Sequence, residues 1–393
     1  MLGYSPQKLL NCGQDYSNSR TFWLLLTSLW QNKPALEVIQ YALLLEQGKF
    51  GLDAQEAFHF ACFRHEITKK YPVSISYYER LLKAAMDTAE KHGHGYLDEL
   101  VEEYCQLKAK GQTSVHQLQE ARLGWGFKTF VYAPKVDGLS SIQEFSGREL
   151  SLDFVRKCLK NSFTQATGTA KFGLLSLHVS KNMLEGSTGC HEWEAGLKLG
   201  EFVLSDTNLV RERCCLELGC GAGALAVCVL RAGARHVICT DGDAGALENC
   251  RQNIERNVSE LLASQAPTRP RIEYQQLRWE DGWHGDASPS VVLGADLLYD
   301  PGVIPSLVEI LRSALSPKGR LAVERRPFAL IATTVRNDST VESFVTRAVQ
   351  RGLRVEEVAS PAGKEDVEFV DVPMLQNPLA RIVVHRIESQ DLP

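Results

Sequence analysis

The sequence predicts an α/β fold: a seven-stranded, mostly parallel sheet with helices on both faces, preceded by an all-helical N-terminal domain. Three observations carry this. From Arg213 onward, short apolar runs alternate with helical segments, the texture of a parallel sheet crossed over by helices. From about Ala35 to Lys110, apolar residues recur at helical spacing instead. With 393 residues, 44% of them hydrophobic, the chain can build a main core and a smaller second one. The divisions are read as a helical domain over 1–110, a connector over 111–169 and the α/β domain over 170–393.

In the helical domain, the apolar stretch Phe22-Trp-Leu-Leu-Leu-Thr-Ser-Leu-Trp30 is about half the length of a bilayer span and reads as a core helix. Leu36, Ile39 and Leu43 mark one amphipathic helix; Tyr78, Leu81, Leu82, Ala85 and Ala89 mark another. Gly48 with Gly51, then Pro72, then Gly93-His-Gly95 separate the segments, leaving a further helix over Tyr96 to Lys108. Between Gly111 and Thr169, one short strand candidate, Thr129 to Tyr132, is followed by Pro134, Gly138 and Gly147, so little regular structure is expected. A strand pair is expected over Phe172 to Val179, then a helix from about His191 to Val203. The seven sheet strands are Cys214 to Leu218, Val237 to Thr240, Ile272 to Leu277, Ser290 to Ala295, Leu330 to Val335, Leu353 to Val358 and Ile382 to Arg386. The last follows a long loop rather than a helix of its own, which suits antiparallel entry.

Composition excludes several classes. A formal net charge of -5 gives no basic footprint, so stable nucleic-acid binding is not expected. Eleven cysteines, an odd number without repeated two-residue spacing, and no secretion signal point to reduced thiols and a cytoplasmic protein. Cys214 and Cys215 lie in an apolar run and read as buried small hydrophobes. No membrane span is expected. Neither His-Glu-x-x-His nor Cys-x-x-Cys occurs, so no metal is expected; Gly-Lys-Ser/Thr is also missing.

The chemistry centres on Glu217-Leu-Gly-Cys-Gly-Ala-Gly223, between an apolar strand and the helical run Ala224 to Arg231. Gly219, Gly221 and Gly223 allow a tight strand-to-helix turn and close backbone approach to a ligand at the end of a sheet. Gly219, Gly221 and Ala224 also satisfy the dinucleotide pattern, so a nicotinamide-dependent oxidoreductase stays open on the glycines alone. Glu217 discriminates. Two residues ahead of the first glycine, it can face the ammonium end of a methionine moiety, whereas beside a pyrophosphate it would be repelled. Asp241, at the end of the second strand, can accept two ribose hydroxyls, a feature both ligands share. Ala295-Asp-Leu-Leu-Tyr299 ends the fourth strand on the same rim, where Asp296 and Tyr299 can flank a sulfonium and an incoming nucleophile. Their bland alternatives are a helix cap and a core aromatic. Trp279, after the third strand, offers a flat surface for adenine, and Trp193 opens the helix before the first strand.

Together, Thr188-Gly189 with Trp193, Glu217 to Gly223, Thr240-Asp241, Asn253 with Asn257, Leu277-x-Trp279 and Ala295-Asp-Leu-Leu-Tyr299 resemble the seven-strand, Rossmann-like protein-lysine methyltransferases. Within that group the chain is most similar to the elongation-factor-2 lysine methyltransferase family. Ile331-Ala-Thr-Thr-Val-Arg-Asn337 resembles that family's fifth strand, and Phe58 to Asp87 more loosely its N-terminal helical domain. The resemblance implies S-adenosyl-L-methionine as cofactor, contacted by Trp193, Gly219, Cys220, Gly221, Asp241, Trp279 and Ala295. It implies Asp296 and Tyr299 as an Asp-x-x-Tyr motif that orients an acceptor lysine, and a monomeric enzyme whose partner is a protein such as elongation factor 2.

Three departures are informative. Cys220 stands where relatives often have serine. Leu297-Leu298 stands where methyltransferases of planar amide or base nitrogens usually carry Pro-Pro, which disfavours glutamine or adenine as acceptor. Gly319 to Ala329, with Glu324-Arg-Arg-Pro327, reads as an insertion or an extra strand. A methyltransferase-fold binding protein without turnover is the remaining alternative.

Overall fold

The structure, a computed structural model, describes residues 20–110, 124–134, 173–180, 188–263, 269–283, 285, 288–316, 326–359, 366–369 and 381–390. These fall into two compact units. The first runs to Phe130; the second holds Val131 to Pro134 and the described residues from Gly173 onward.

The first unit is built on helices. α1 (Arg20–Trp30) buries Leu25, Leu26, Leu29 and Trp30 almost completely, the behaviour of a core helix. α2 (Ala35–Leu45) buries Val38, Ile39 and Ala42. Leu36, expected on that stripe, is 64% exposed, because the buried face follows the 38/39/42 spacing and Leu36 falls on the opposite flank. α3 (Leu52–His59) runs through a π turn, Phe60–Arg64, into α4 (Glu66–Lys70). The break between them, not foreseen from periodicity, is capped by His65, whose Nδ1 accepts the Ile67 N–H at 3.3 Å. Burial lowers the His65 pKa to about 4, so the ring stays neutral and able to accept. α5 (Ile75–Lys91) buries Tyr78, Leu81, Leu82, Ala85 and Ala89 as the spacing predicts, and α6 (Asp98–Lys110) follows.

Ten strands are described: β1 (Trp125–Pro134), β2 (Gly173–Ser180), β3 (Cys214–Leu218), β4 (His236–Asp241), β5 (Arg271–Gln276), β6 (Val291–Ala295), β7 (Phe328–Thr334), β8 (Leu353–Glu357), β9 (Val367–Phe369) and β10 (Ile382–Ser389). Seven form the main sheet in the order β5-β4-β3-β6-β7-β10-β8. Its strands are parallel except β10, which lies antiparallel between β7 and β8, pairing Val384 with Ala332 and Arg386 with Glu356. The order reverses between β3 and β6, so a crevice opens outside their carboxyl ends, where ligands of open α/β sheets bind. α7 (Glu194–Ser205) packs on β6 and β7, and α8 (Ala224–Arg231) on β4. α9 (Ala244–Ala263), α10 (Ile304–Ala314) and α11 (Asp338–Gln350) complete the layers. Leu307 and Leu311 of α10 and Phe344 of α11 form one core with Leu216, Leu218, Val292 and Ile331. By strand alternation, Glu217 therefore faces the opposite side from that core.

Two expectations need correction. The strand pair sought over 172–179 is one strand, β2, and its neighbour is β1, inside the supposed connector and longer than its predicted core Thr129 to Tyr132. The helix expected from His191 begins at Glu194. The rest of the connector and residues 319–325 of the expected insertion lie outside the described residues, while its last two residues, Phe328 and Ala329, belong to β7. Among the described residues no helix is long and apolar enough to cross a membrane, no acid, histidine and cysteine group can hold a metal, and the cysteines are free thiols.

β1, β2 and the short β9 form a second sheet in the order β2-β1-β9, with Tyr132 opposite Phe369. Side chains take the place of further strands at both margins. On α9, Asn257 accepts from Ser176 N (2.9 Å) and donates to Ser176 O (2.6 Å), and Asn253 does the same with His178 (2.8 and 3.1 Å). Asn249 adds a bond to His178 O, and Asn253 also donates to Ala222 O of the glycine turn at 3.0 Å. At β9, Ser205 Oγ and Glu201 Oε1 of α7 accept the N–H groups of Val367 and Phe369. Replacing Asn253 with leucine takes this partner from two backbone groups, His178 N and Ala222 O, at about 1–3 kcal/mol each, while Asn249 still serves His178 O. The variant is expected to unfold at least about 2 kcal/mol more easily; denaturation within about 0.5 kcal/mol of wild type would show that the ladder is dispensable.

Candidate active site

The crevice between β3 and β6 gathers residues from five strand ends. The turn after β3 is tied to β4: Cys220 N donates to Thr240 O (2.8 Å), Thr240 Oγ1 to Glu217 O (2.7 Å), and Gly221 N to Asp241 Oδ2 (3.0 Å). Gly219 and Gly221 have φ of 64° and 51°, in the left-handed region. A Cβ on Gly219 would come within 2.9 Å of Leu297 Cδ2, and one on Gly221 within 3.1 Å of Gly189 O, so neither position admits a side chain without displacement. Gly223 caps α8 against Cys250. The Cys220 thiol is buried and faces Cys250, so this residue offers the crevice its backbone.

Glu217 is 3% exposed, and its Oε2 has no hydrogen-bond partner. Burial, with the Asp241 charge added, pushes its carboxyl up to about 8. A buried acid with a free acceptor and no cation beside it among the described residues is suited to a ligand that brings one. Asp241 ends β4 with Oδ1 accepting Asp243 N (2.9 Å) and Oδ2 accepting Gly221 N; burial raises its carboxyl, and those bonds oppose the rise. Leu277 N donates to Asp241 O (2.9 Å), fixing the segment that leads to Trp279. The half-buried Trp279 ring reaches to 3.8 Å from where a Gly219 Cβ would stand, so it borders the glycine turn.

On the β6 side, Ala295 packs against the first turn of α7, 3.9 Å from a Cβ position on Gly196. Asp296 follows with φ of 53°, uncommon outside glycine, and is 7% exposed. Its carboxylate is engaged: Oδ1 accepts Thr334 N (2.9 Å), Oδ2 accepts Thr334 Oγ1 (3.1 Å), and Arg336 approaches both oxygens at 3.4 and 3.3 Å. It neither caps a helix nor stands exposed. Tyr299 is 68% exposed, so its ring is no core aromatic and its phenol is open to a partner. Trp193 precedes α7, with the Arg336 guanidinium 5.5 Å from its ring centre.

Thr334, Arg336 and Glu194 were missed as site residues. Arg336 lay within the Ile331 to Asn337 stretch of the resemblance, yet nothing local to it marks Asp296 as its partner. Glu194 follows Trp193; one of its carboxylate oxygens is buried without a hydrogen bond, and burial first, then Asp296 and Glu192, raise its pKa.

Residues 173–342 match a protein family described as lysine methyltransferase. Over 179 residues the chain is 34% identical to "Protein-lysine N-methyltransferase EFM3" of Chaetomium thermophilum, and over 178 residues 35% identical to "Protein-lysine N-methyltransferase EEF2KMT" of Homo sapiens. These matches cover 43% and 44% of this chain and 49% and 53% of those proteins. The Saccharomyces cerevisiae protein of the first name is 30% identical over 223 residues, 52% of this chain and 62% of its own. The chain thus spans about half the length of the curated relatives it matches.

Proposed function

We propose, from the match of residues 173–342 to a lysine methyltransferase family and the likeness to proteins named as protein-lysine N-methyltransferases, that this protein is an S-adenosylmethionine-dependent protein-lysine N-methyltransferase. Its substrate is a translation factor such as elongation factor 2, met in the cytoplasm by a monomeric enzyme. The observation that carries the cofactor is the buried Glu217 with an oxygen free to receive an ammonium, beside a glycine turn and Asp241.

In this reading Glu217 receives the methionyl ammonium, and Asp241 the ribose hydroxyls. Gly219, Cys220, Gly221 and Gly223 shape the turn, while Trp279, Ala295 and Trp193 line the adenosyl and methionyl space. When bound, S-adenosylmethionine supplies an electrophilic methyl group on a sulfonium. A lysine must meet it as the free amine, and deprotonating lysine at pH 7 costs about 4.6 kcal/mol in water. Partial burial and a neighbouring positive charge lower that cost, and holding the amine in line contributes much of the remaining acceleration. Tyr299, exposed at the rim, and Asp296, fixed by Thr334, orient the acceptor rather than act as a strong base.

Incubating the protein with labelled S-adenosylmethionine and purified elongation factor 2 is expected to transfer label to lysine. Asp296→Asn and Tyr299→Phe are expected to lower turnover at least about tenfold, with the melting temperature retained in Tyr299→Phe. Label on another protein in cell extract would move the substrate assignment; none on any protein would leave a binding protein. Near-normal turnover by both variants would remove the pair from the mechanism.

A further inference from the structure

Asp296 is the carboxylate at the carboxyl end of β6, three residues before Tyr299, and left unpaired it would favour a charged lysine over a neutral one; Asp300, the residue after Tyr299, accepts Gly302 N at 2.8 Å. The fold does not leave Asp296 unpaired. Arg336, just past β7, sets its guanidinium against both Asp296 oxygens while lying over Trp193, and stays half exposed toward solvent. Thr334 occupies the same oxygens through its amide and hydroxyl. Two other acids stand nearby, Glu194 and Glu192 at the start of α7, with His191 3.8 Å from Glu192. Burial holds Glu194 toward its neutral form.

We propose that Arg336 is a positioning residue for methyl transfer: by occupying Asp296 it keeps that carboxylate from retaining the acceptor as an ammonium, so lysine arrives as the uncharged nucleophile. This rests on the lysine-methylation reading. In the transfer, the proton leaves the ammonium to water first. The nitrogen lone pair then forms the N–C bond as the S–C bond breaks, and that electron pair stays on sulfur.

The test is the pH profile of kcat/KM with elongation factor 2 and labelled S-adenosylmethionine, for wild type, Arg336→Gln and Arg336→Lys. Unit charges a few ångströms apart at a protein–water boundary interact by about one pKa unit or more. The glutamine variant is therefore expected to show its acid limb displaced upward by about one pH unit, a loss of about tenfold at pH 7 that closes toward high pH. The lysine variant should retain the wild-type midpoint. Adenosylhomocysteine affinity by calorimetry should stay within about threefold in both. A glutamine profile lowered equally at every pH, or unchanged, overturns the inference, as does lost adenosylhomocysteine binding in both variants. No transfer by the wild-type protein overturns the lysine-methylation reading and this inference with it.

Discussion

The ligand-free protein is expected to lose stability as the pH rises from about 5 to above 8, and Glu217→Gln to abolish most of that loss. The folded protein holds the Glu217 proton up to about 8, whereas the unfolded chain releases it near the ordinary value of 4.5. Between those values the native state binds more protons than the unfolded state, so stability is fully present below 4.5 and falls until the folded pKa is passed. The span corresponds to a loss on the order of 4 kcal/mol. Asp241 and Glu194 are raised in the same direction, which is why the comparison with the glutamine variant isolates Glu217. Urea unfolding at pH 5 and pH 8.5 measures it; equal stability of the wild type at both would remove Glu217 from the account. The same proton reports on the ligand. A methionyl ammonium would ionise Glu217 on binding, so adenosylhomocysteine titrated near pH 6.5 in buffers of different ionisation enthalpy should release about one proton. The glutamine variant should release none and bind roughly a hundredfold more weakly, the value of a lost charge-assisted hydrogen bond.

Asp241→Ala is expected to weaken adenosylhomocysteine by about two to four orders of magnitude. Two hydroxyl bonds to a carboxylate contribute about 1.5–3 kcal/mol each. The substitution also releases Gly221 N and Asp243 N, loosening the turn that Asp241 steadies from β4. Asp241→Asn keeps one acceptor and should fall between. Calorimetry decides, and an affinity within about threefold of wild type for the alanine variant would end the ribose assignment.

Much of the fold was legible because its determinants are local. Most sheet strands from Cys214 onward are short apolar runs followed by a turn, β5 and β8 being more polar, and the direction of the last one could be read from a preceding sequence without helical periodicity. β9 could not be read: Val367 to Phe369 is three residues whose pairing depends on Tyr132 and on side chains of α7, far away in sequence. The start of β1 was hidden likewise. In the site, Glu217, Asp241 and the glycines belong to contiguous motifs at strand ends. The surroundings of Asp296 do not, since Thr334 and Arg336 lie 38 and 40 residues further on and meet it only because β6 and β7 are neighbours.

The second sheet is short and built partly from a segment far from the rest, which makes its margins natural places for a foreign chain to add. The amides of Asn253 and Asn257 on one side, and Ser205 with Glu201 on the other, already occupy backbone groups that an intruding strand would need. Removing Asn257 therefore does more than lower a melting point. It turns a sealed border into a template, and the variant should form intermolecular β-structure at concentrations where the parent stays clear.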